Sequence, residues 1–210
     1  MRATIIDAGV GNIGNLVRAL EHLGATAEIT TDPARISGAR CLLLPGVGAF
    51  RPPRERLRDG LEEGLREAIA GGAWLLGICV GFQLLFESSS EFAESSRPTD
   101  GLALLRGRVV ELPGSVPRPH IGWNALHDLA SHPLLQGIVG GDCAYFVHGF
   151  APDGVPRDEV LARCTHGRAF AAVAGRGRVL GTQFHPEKSG AVGLRLLRNF
   201  LDLCANGGAP

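Results

Sequence analysis

Two short segments hold the side chains of this sequence best suited to chemistry: Gly77-Ile78-Cys79-Val80-Gly81 and Gln183-Phe184-His185-Pro186-Glu187. The cysteine follows the apolar run Ala73-Trp74-Leu75-Leu76. A Gly-x-nucleophile-x-Gly pattern between a strand and a helix is the sharp turn that presents a nucleophile at a sheet edge. A helix starting at Val80 would aim backbone N–H groups at the sulfur and favour negative charge there. His185 would take the thiol proton and return it to a leaving group, while Glu187 would hold the imidazole in the right tautomer. A buried structural cysteine and an unrelated histidine also fit the first segment alone. The His-x-Glu at the end of a later strand-like run favours Cys79, His185 and Glu187 as a catalytic triad.

Composition narrows what such a triad serves. Lys+Arg and Asp+Glu both number 21, a formal net charge of +0, which argues against a nucleic-acid or membrane partner held by charge. The sole lysine, Lys188, sits beside the His/Glu pair. No apolar run approaches the ~18 residues of a spanning helix, and the chain enters its first strand without a leader, so a cytoplasmic location is expected. The five cysteines include no CxxC pair, so neither a disulfide scaffold nor a metal site is expected. Cys41, Cys143 and Cys164 lie in strand-like runs and read as buried fillers.

The elements that must position these groups alternate in the first half. Residues 3–7, 26–30, 40–44 and 73–78 read as strands, and residues 12–23, 54–70 and 80–86 as helices. Such units build a parallel sheet with helices on both faces. Runs 109–112, 121–126, 144–150, 159–164 and 169–174 are short and punctuated by Gly and Pro, which predicts an antiparallel extension of that sheet. A helix over 191–203 closes the chain, and residues 88–100 are the candidate mobile surface loop. The expected fold is α/β, an open and mostly parallel sheet flanked by helices with an antiparallel extension, in one domain over residues 1–210.

Two glycine-rich loops need separate readings. Gly9-Val10-Gly11-Asn12-Ile13-Gly14 is a formal dinucleotide fingerprint, with Asp32 near the position of a ribose-binding acid. It leaves the Cys/His/Glu set unexplained and the chain short of a substrate domain, so no cofactor is expected. The loop Leu44-Pro45-Gly46-Val47-Gly48-Ala49-Phe50 follows a strand and falls at the same sheet edge as Cys79. Its N–H groups could donate to an oxyanion, or it could be an ordinary strand-to-helix turn. Among the histidines, His22 and His132 read as surface residues and His127 and His166 as turn residues, whereas His120 and His148 flank apolar strands.

The run from Gly77 to Leu85, with Gln183 to Ser189, resembles the class I, triad-type glutamine amidotransferases. Asp7-Ala8-Gly9-Val10-Gly11-Asn12, the Leu44–Phe50 loop, His120-Ile121-Gly122-Trp123-Asn124 and Tyr145-Phe146-Val147-His148 are similar to the glutaminase subunits of imidazole glycerol phosphate synthases. The likeness runs from about Thr4 to Phe200. It implies a flavodoxin-like fold and a glutamine substrate attacked by Cys79, with the oxyanion held by N–H of Val47 and Val80. It further implies glutamine binding by Gly46, Gly48, Gln83 and Glu91 and by the backbone of His148, Gly149 and Phe150. The family docks as a heterodimer on a (β/α)8 cyclase subunit that receives the ammonia in histidine biosynthesis, which would put His120, Trp123, Asn124 and Lys188 at that interface. Core packing is the other reading of Trp123. Ala8 replaces a usual aromatic and Gly149 a usual Ser or Thr, the latter removing a hydroxyl near the glutamine pocket. A glutaminase serving a different synthase is the nearest alternative; a scaffold that lost activity is disfavoured by the intact Cys79, His185 and Glu187.

Overall fold

The Leu- and Ala-rich runs pair as expected in the computed structural model, which describes residues 1–91 and 97–207. In chain order the first half is β1 (Arg2–Ile6), α1 (Ile13–His22), β2 (Thr26–Thr30), α2 (Pro33–Ser37), β3 (Cys41–Gly46), α3 (Arg51–Arg56), α4 (Glu62–Ala70), β4 (Trp74–Cys79) and α5 (Val80–Gln83). Then come β5 (Ser88–Ser89), β6 (Thr99–Asp100), β7 (Arg108–Glu111), β8 (His120–Ala125), β9 (Cys143–His148), β10 (Phe150–Asp153), β11 (Val160–His166), β12 (Arg168–Arg176), β13 (Val179–Thr182) and α6 (Gly190–Asn206). A seven-stranded sheet runs β11-β12-β13-β4-β3-β1-β2. Its members from β13 to β2 are parallel, and β11 and β12 add antiparallel.

All six residues of β3 and all six of β4 are buried, the mark of strands covered on both faces. Leu42, Leu43, Leu44, Leu75 and Leu76 form the centre of the core. Each fully buried leucine stabilises the fold by about 1.5–3 kcal/mol.

Three expectations are corrected. Only the runs at β11 and β12 extend the main sheet. The others build a four-stranded sheet, β10-β7-β5-β6, and a two-stranded ribbon of β8 and β9. Alternating hydrophobicity reports a half-buried strand but not which strand lies beside it. The helix expected over 54–70 is instead α3, a wide turn at Leu57–Leu61, and α4, because Gly60 takes φ 100° and Asp59 leaves helical ψ. The helix after Cys79 stops at Gln83 rather than 86. Carbonyls of Leu84, Leu85 and Phe86 accept from backbone N–H groups of residues 102–105, a distant pairing without a local sequence signal.

Cys41 and Cys164 are buried as expected, but Cys143 is exposed, since the outward positions of β9 begin with it. The expected loop over 88–100 has paired ends, β5 against β6; its centre, residues 92–96, lies outside the described residues.

The two glycines of the cysteine turn are required by close approach. A Cβ on Gly77 would lie 2.8 Å from the Gly81 carbonyl oxygen, and one on Gly81 would collide with the Leu44 carbonyl oxygen. Backbone cannot yield there, because β3 and β4 are the centre of the sheet. Gly81→Ala is therefore expected to cost more than about 4 kcal/mol, read as a lost or strongly lowered unfolding transition in denaturant.

Candidate active site

Parallel register brings the reactive groups together. Thr182 of β13 sits opposite Ile78 of β4, so the chain leaving each strand emerges at one sheet edge, where ligands of open α/β sheets bind. Gly46, the end of β3, sits opposite Cys79. Cys79 has φ 55° and ψ −111°, a conformation costing a non-glycine residue on the order of 1–3 kcal/mol. Its Sγ lies 3.9 Å from the Val147 carbonyl oxygen and 3.9 Å from Gln183 Nε2.

His185 is fixed on three sides. Its backbone N–H donates to the Tyr145 carbonyl (3.0 Å), and its own carbonyl accepts from Ser189 Oγ (2.7 Å). Its Nδ1 donates to Glu187 Oε1 at 2.8 Å, with both side chains buried. Neutral His185 therefore carries its proton on Nδ1 and presents a bare Nε2. That atom is buried without a hydrogen-bond partner of normal geometry, as is Glu187 Oε2. Burial pushes the His185 pKa down, but the adjacent Cys79 sulfur and the Glu187 carboxylate outweigh it and raise the value to about 10. An imidazolium held beside a sulfur is the state that delivers a proton to a leaving group.

A cavity with about 420 Å³ of empty space, its mouth included, opens over Cys79 and His185. The expected oxyanion donors Val47 and Val80 line it, as do Gly48, Gln83 and Glu91. His148, Gly149 and Phe150 form the opposite wall. Gly46 lies outside the lining, at the end of β3, and Glu187 stands behind His185. Gln83 Nε2 donates to the Phe150 carbonyl (2.9 Å) and to Gln183 Oε1 (3.2 Å). Glu91 Oε2 accepts from Phe50 N–H at 2.8 Å, and burial raises the Glu91 pKa despite that bond. An added Cβ on Gly149 meets nothing within 4 Å, so the space for the absent hydroxyl side chain is kept. Two members of the site are not expected from the sequence: Gln183, whose amide reaches the sulfur, and Val147, whose carbonyl does. Gln183 carried a signal, as a polar residue between a buried strand and His185.

Residues 4–204 match the family described as glutamine amidotransferase class-I. The chain belongs to that family. Similar curated proteins are the imidazole glycerol phosphate synthase subunits HisH of Symbiobacterium thermophilum, 44% identical over 200 residues with 95% of this chain and 92% of that protein covered, and of Methanosarcina barkeri, 44% identical over 206 residues with 97% and 99% covered. A solved structure titled glutamine amidotransferase is 23% identical with a TM-score of 0.75, covering 97% of this chain and 98% of that one. The structure of PurLQS from Thermotoga maritima is 20% identical with a TM-score of 0.75, covering 96% and 97%. These two likenesses show the fold, the flanked and mostly parallel sheet expected from the sequence.

In this amidotransferase the dinucleotide-like acid serves the fold, since Asp32 caps α2 by accepting from Ala34 N–H at 2.9 Å. Among the described residues no group of three or more His, Cys, Asp or Glu could hold a metal, and no helix is long and apolar enough to cross a membrane. The ribbon divides the residues expected at a partner interface. Ile121 and Trp123 point outward, 62% and 58% exposed, so core packing does not account for Trp123. His120 points inward and is 4% exposed, while Asn124 donates to the Thr165 carbonyl at 3.0 Å. Lys188 Nζ stands 5.9 Å from the centre of the Tyr145 ring, next to Trp123.

Proposed function

We propose that this chain hydrolyses glutamine to glutamate and ammonia through Cys79, His185 and Glu187. The ammonia passes to a (β/α)8 cyclase subunit that forms imidazole glycerol phosphate and aminoimidazole carboxamide ribotide in histidine biosynthesis. The observation that carries this reading is a His185 imidazole tied to Glu187 at 2.8 Å, opening with Cys79 onto one pocket. Sγ attacks the γ-carboxamide carbon, and Val80 N–H and Val47 N–H hold the oxyanion, donors that a nucleophile turn draws from the residue after the nucleophile and from the β3 loop. The C–N bond breaks as imidazolium gives its proton to the departing ammonia. A water then gives one proton to His185 and its oxygen to the acyl carbon. The C–S bond breaks with its electron pair going to sulfur, and the sulfur recovers the proton from His185, so glutamine and water become glutamate and ammonia. Glu91 and Gln83 meet the α-amino and carboxylate ends of the substrate.

The cyclase partner is supported by the HisH relatives and by the outward Ile121 and Trp123, two of the large apolar side chains the fold leaves in solvent. A purified cyclase subunit with its nucleotide ligand should stimulate glutamate release strongly over a low rate for the chain alone. Glutamate release indifferent to cyclase would argue for a different acceptor enzyme. Trp123→Ala should leave the unfolding midpoint of the free chain within about 0.5 kcal/mol of wild type yet weaken cyclase binding by roughly 2 kcal/mol or more, as for a central aromatic anchor, measured by calorimetric titration.

A further inference from the structure

Behind the pocket wall lies a chain of side-chain hydrogen bonds that the proposed chemistry does not use. Asn124 Nδ2 is 3.2 Å from His120 Nε2, His120 Nδ1 is 3.1 Å from His148 Nε2, and His148 Nδ1 is 2.8 Å from the Phe150 carbonyl oxygen. The same carbonyl accepts from Gln83 Nε2, which also donates to Gln183, whose amide reaches the Cys79 sulfur. His120 and His148 are a directly opposed pair in the β8–β9 ribbon, and both are buried.

Both ends of this chain have fixed polarity. Asn124 Oδ1 accepts from Ala125 N–H and its Nδ2 donates to the Thr165 carbonyl, so a flipped amide would oppose both backbone groups. Asn124 is therefore a donor toward His120. At the other end a carbonyl oxygen only accepts, so His148 Nδ1 must carry a proton. With two neutral rings, every contact then has one donor and one acceptor: Asn124 to His120 Nε2, His120 Nδ1–H to His148 Nε2, His148 Nδ1–H to Phe150. One additional proton on either ring sets two N–H groups against each other somewhere in the chain.

We propose that His120 and His148 are a positioning pair that locks residues 147–150, the wall of the glutamine pocket, through a directed hydrogen-bond chain that admits only neutral imidazoles protonated on Nδ1. The pair acts on substrate through the Phe150 carbonyl and Gln83, and neither ring is a catalytic residue. This role for the side chains rests on the glutaminase reading only where substrate kinetics are concerned; the protonation pattern stands apart from it. The surroundings agree. Burial and then the charge of His166 lower His120 to about 4. Burial lowers His148 to about 3, outweighing the bond to the Phe150 carbonyl, which raises it, and the charges of His120, His166 and His185 lower it further. The titratable groups acting on the pair are His166, stacked on His120 at 4.1 Å between ring centres, and His185 across the pocket wall, with no acid among them. Phe146 and Phe170 enclose the rest of the two rings.

Long-range nitrogen-15 NMR of the full chain tests the protonation pattern directly, with His120→Phe and His148→Gln used to assign the two rings. At about pH 7 both rings should be neutral with the proton on Nδ1, and both should remain mostly neutral at about pH 5, below the ordinary histidine value. A proton on Nε2 of either ring at about pH 7, or a mostly charged ring at about pH 5, overturns the proposal. In His120→Phe the opposing N–H is gone, so His148 should titrate at least about one pH unit higher than in wild type. Glutamine KM in that variant should rise on the order of tenfold, one hydrogen bond's worth of positioning, with kcat less affected. His120→Asn keeps an N–H at the Nδ1 position and should restore KM to within about threefold of wild type. An unchanged KM in folded His120→Phe, or equal impairment of the Asn variant, also overturns it. A chain without glutaminase activity would undercut the proposed function and leave the NMR result to judge the pair.

Discussion

Replacing Cys79 by alanine should lower cyclase-stimulated glutamate release by about 10⁴-fold or more while leaving stability almost unchanged. The large effect follows from the pocket lining, where among the described residues no second cysteine, serine or threonine stands beside His185 to replace the thiol. The small one follows from geometry, since the sulfur's contacts to the Val147 carbonyl and the Gln183 amide are both 3.9 Å long and alanine keeps the Cβ, leaving the sulfur's part in holding the proton on His185 as the main loss. The backbone strain at φ 55° also stays with alanine. Cys79→Gly relieves it and should be about 1–2 kcal/mol more stable than Cys79→Ala, yet equally inactive. Denaturant unfolding of the two variants beside the glutaminase assay separates the nucleophile from the strained turn that exposes it. Equal stability of the pair would mean that Cys79 bears no strain.

Glu187→Gln is the second variant with a large expected effect. Among the described residues the buried Glu187 carboxylate has His185 as its partner and its second oxygen is unsatisfied, so its charge is directed at the imidazole. Burial opposes the protonated ring, and the Cys79 and Glu187 interactions raise it to about 10. Because that value lies above the ordinary imidazole value of about 6.5, the stability His185 contributes is fully present below ~6.5 and fades as pH rises through about 10. The glutamine amide keeps the shape but neither the charge nor a fixed acceptor. The rate should fall by about 10²–10⁴-fold, and the alkaline limb of the rate profile should move downward from about 10 toward neutrality. A profile whose alkaline limb does not move would show that Glu187 does not hold the proton on His185.

Local sequence was enough for the parts of the site that depend on one turn. Gly77 and Gly81 announce the Cys79 elbow because only glycine survives the approach of Leu44 and of the helix backbone. Continuous apolar runs announce β3 and β4 because both faces are covered. What stayed hidden depends on distant pairing. The early end of α5 is set by backbone groups twenty residues on, and the division of the middle strands into three sheets is set by neighbours that alternation does not name. Gln183 and Val147 reach Cys79 only because β13 and β9 end beside β4, and the His120–His148 contact exists only through the register of the ribbon. Spacing alone could put His120 at one surface with Trp123, whereas the strand's alternation turns His120 inward, on the face it shares with Asn124.

The central claim, that glutamine is split through an acyl bond to Cys79, is tested most directly by acid-quenching the chain, bound to its cyclase subunit, during turnover and mapping its cysteines by mass spectrometry. One glutamyl group is expected on the Cys79 peptide, with Cys41, Cys143, Cys164 and Cys204 unmodified and no adduct in Cys79→Ala. Glutamate released at the normal rate with Cys79 unmodified under every quench, or by the Cys79→Ala chain, would contradict it.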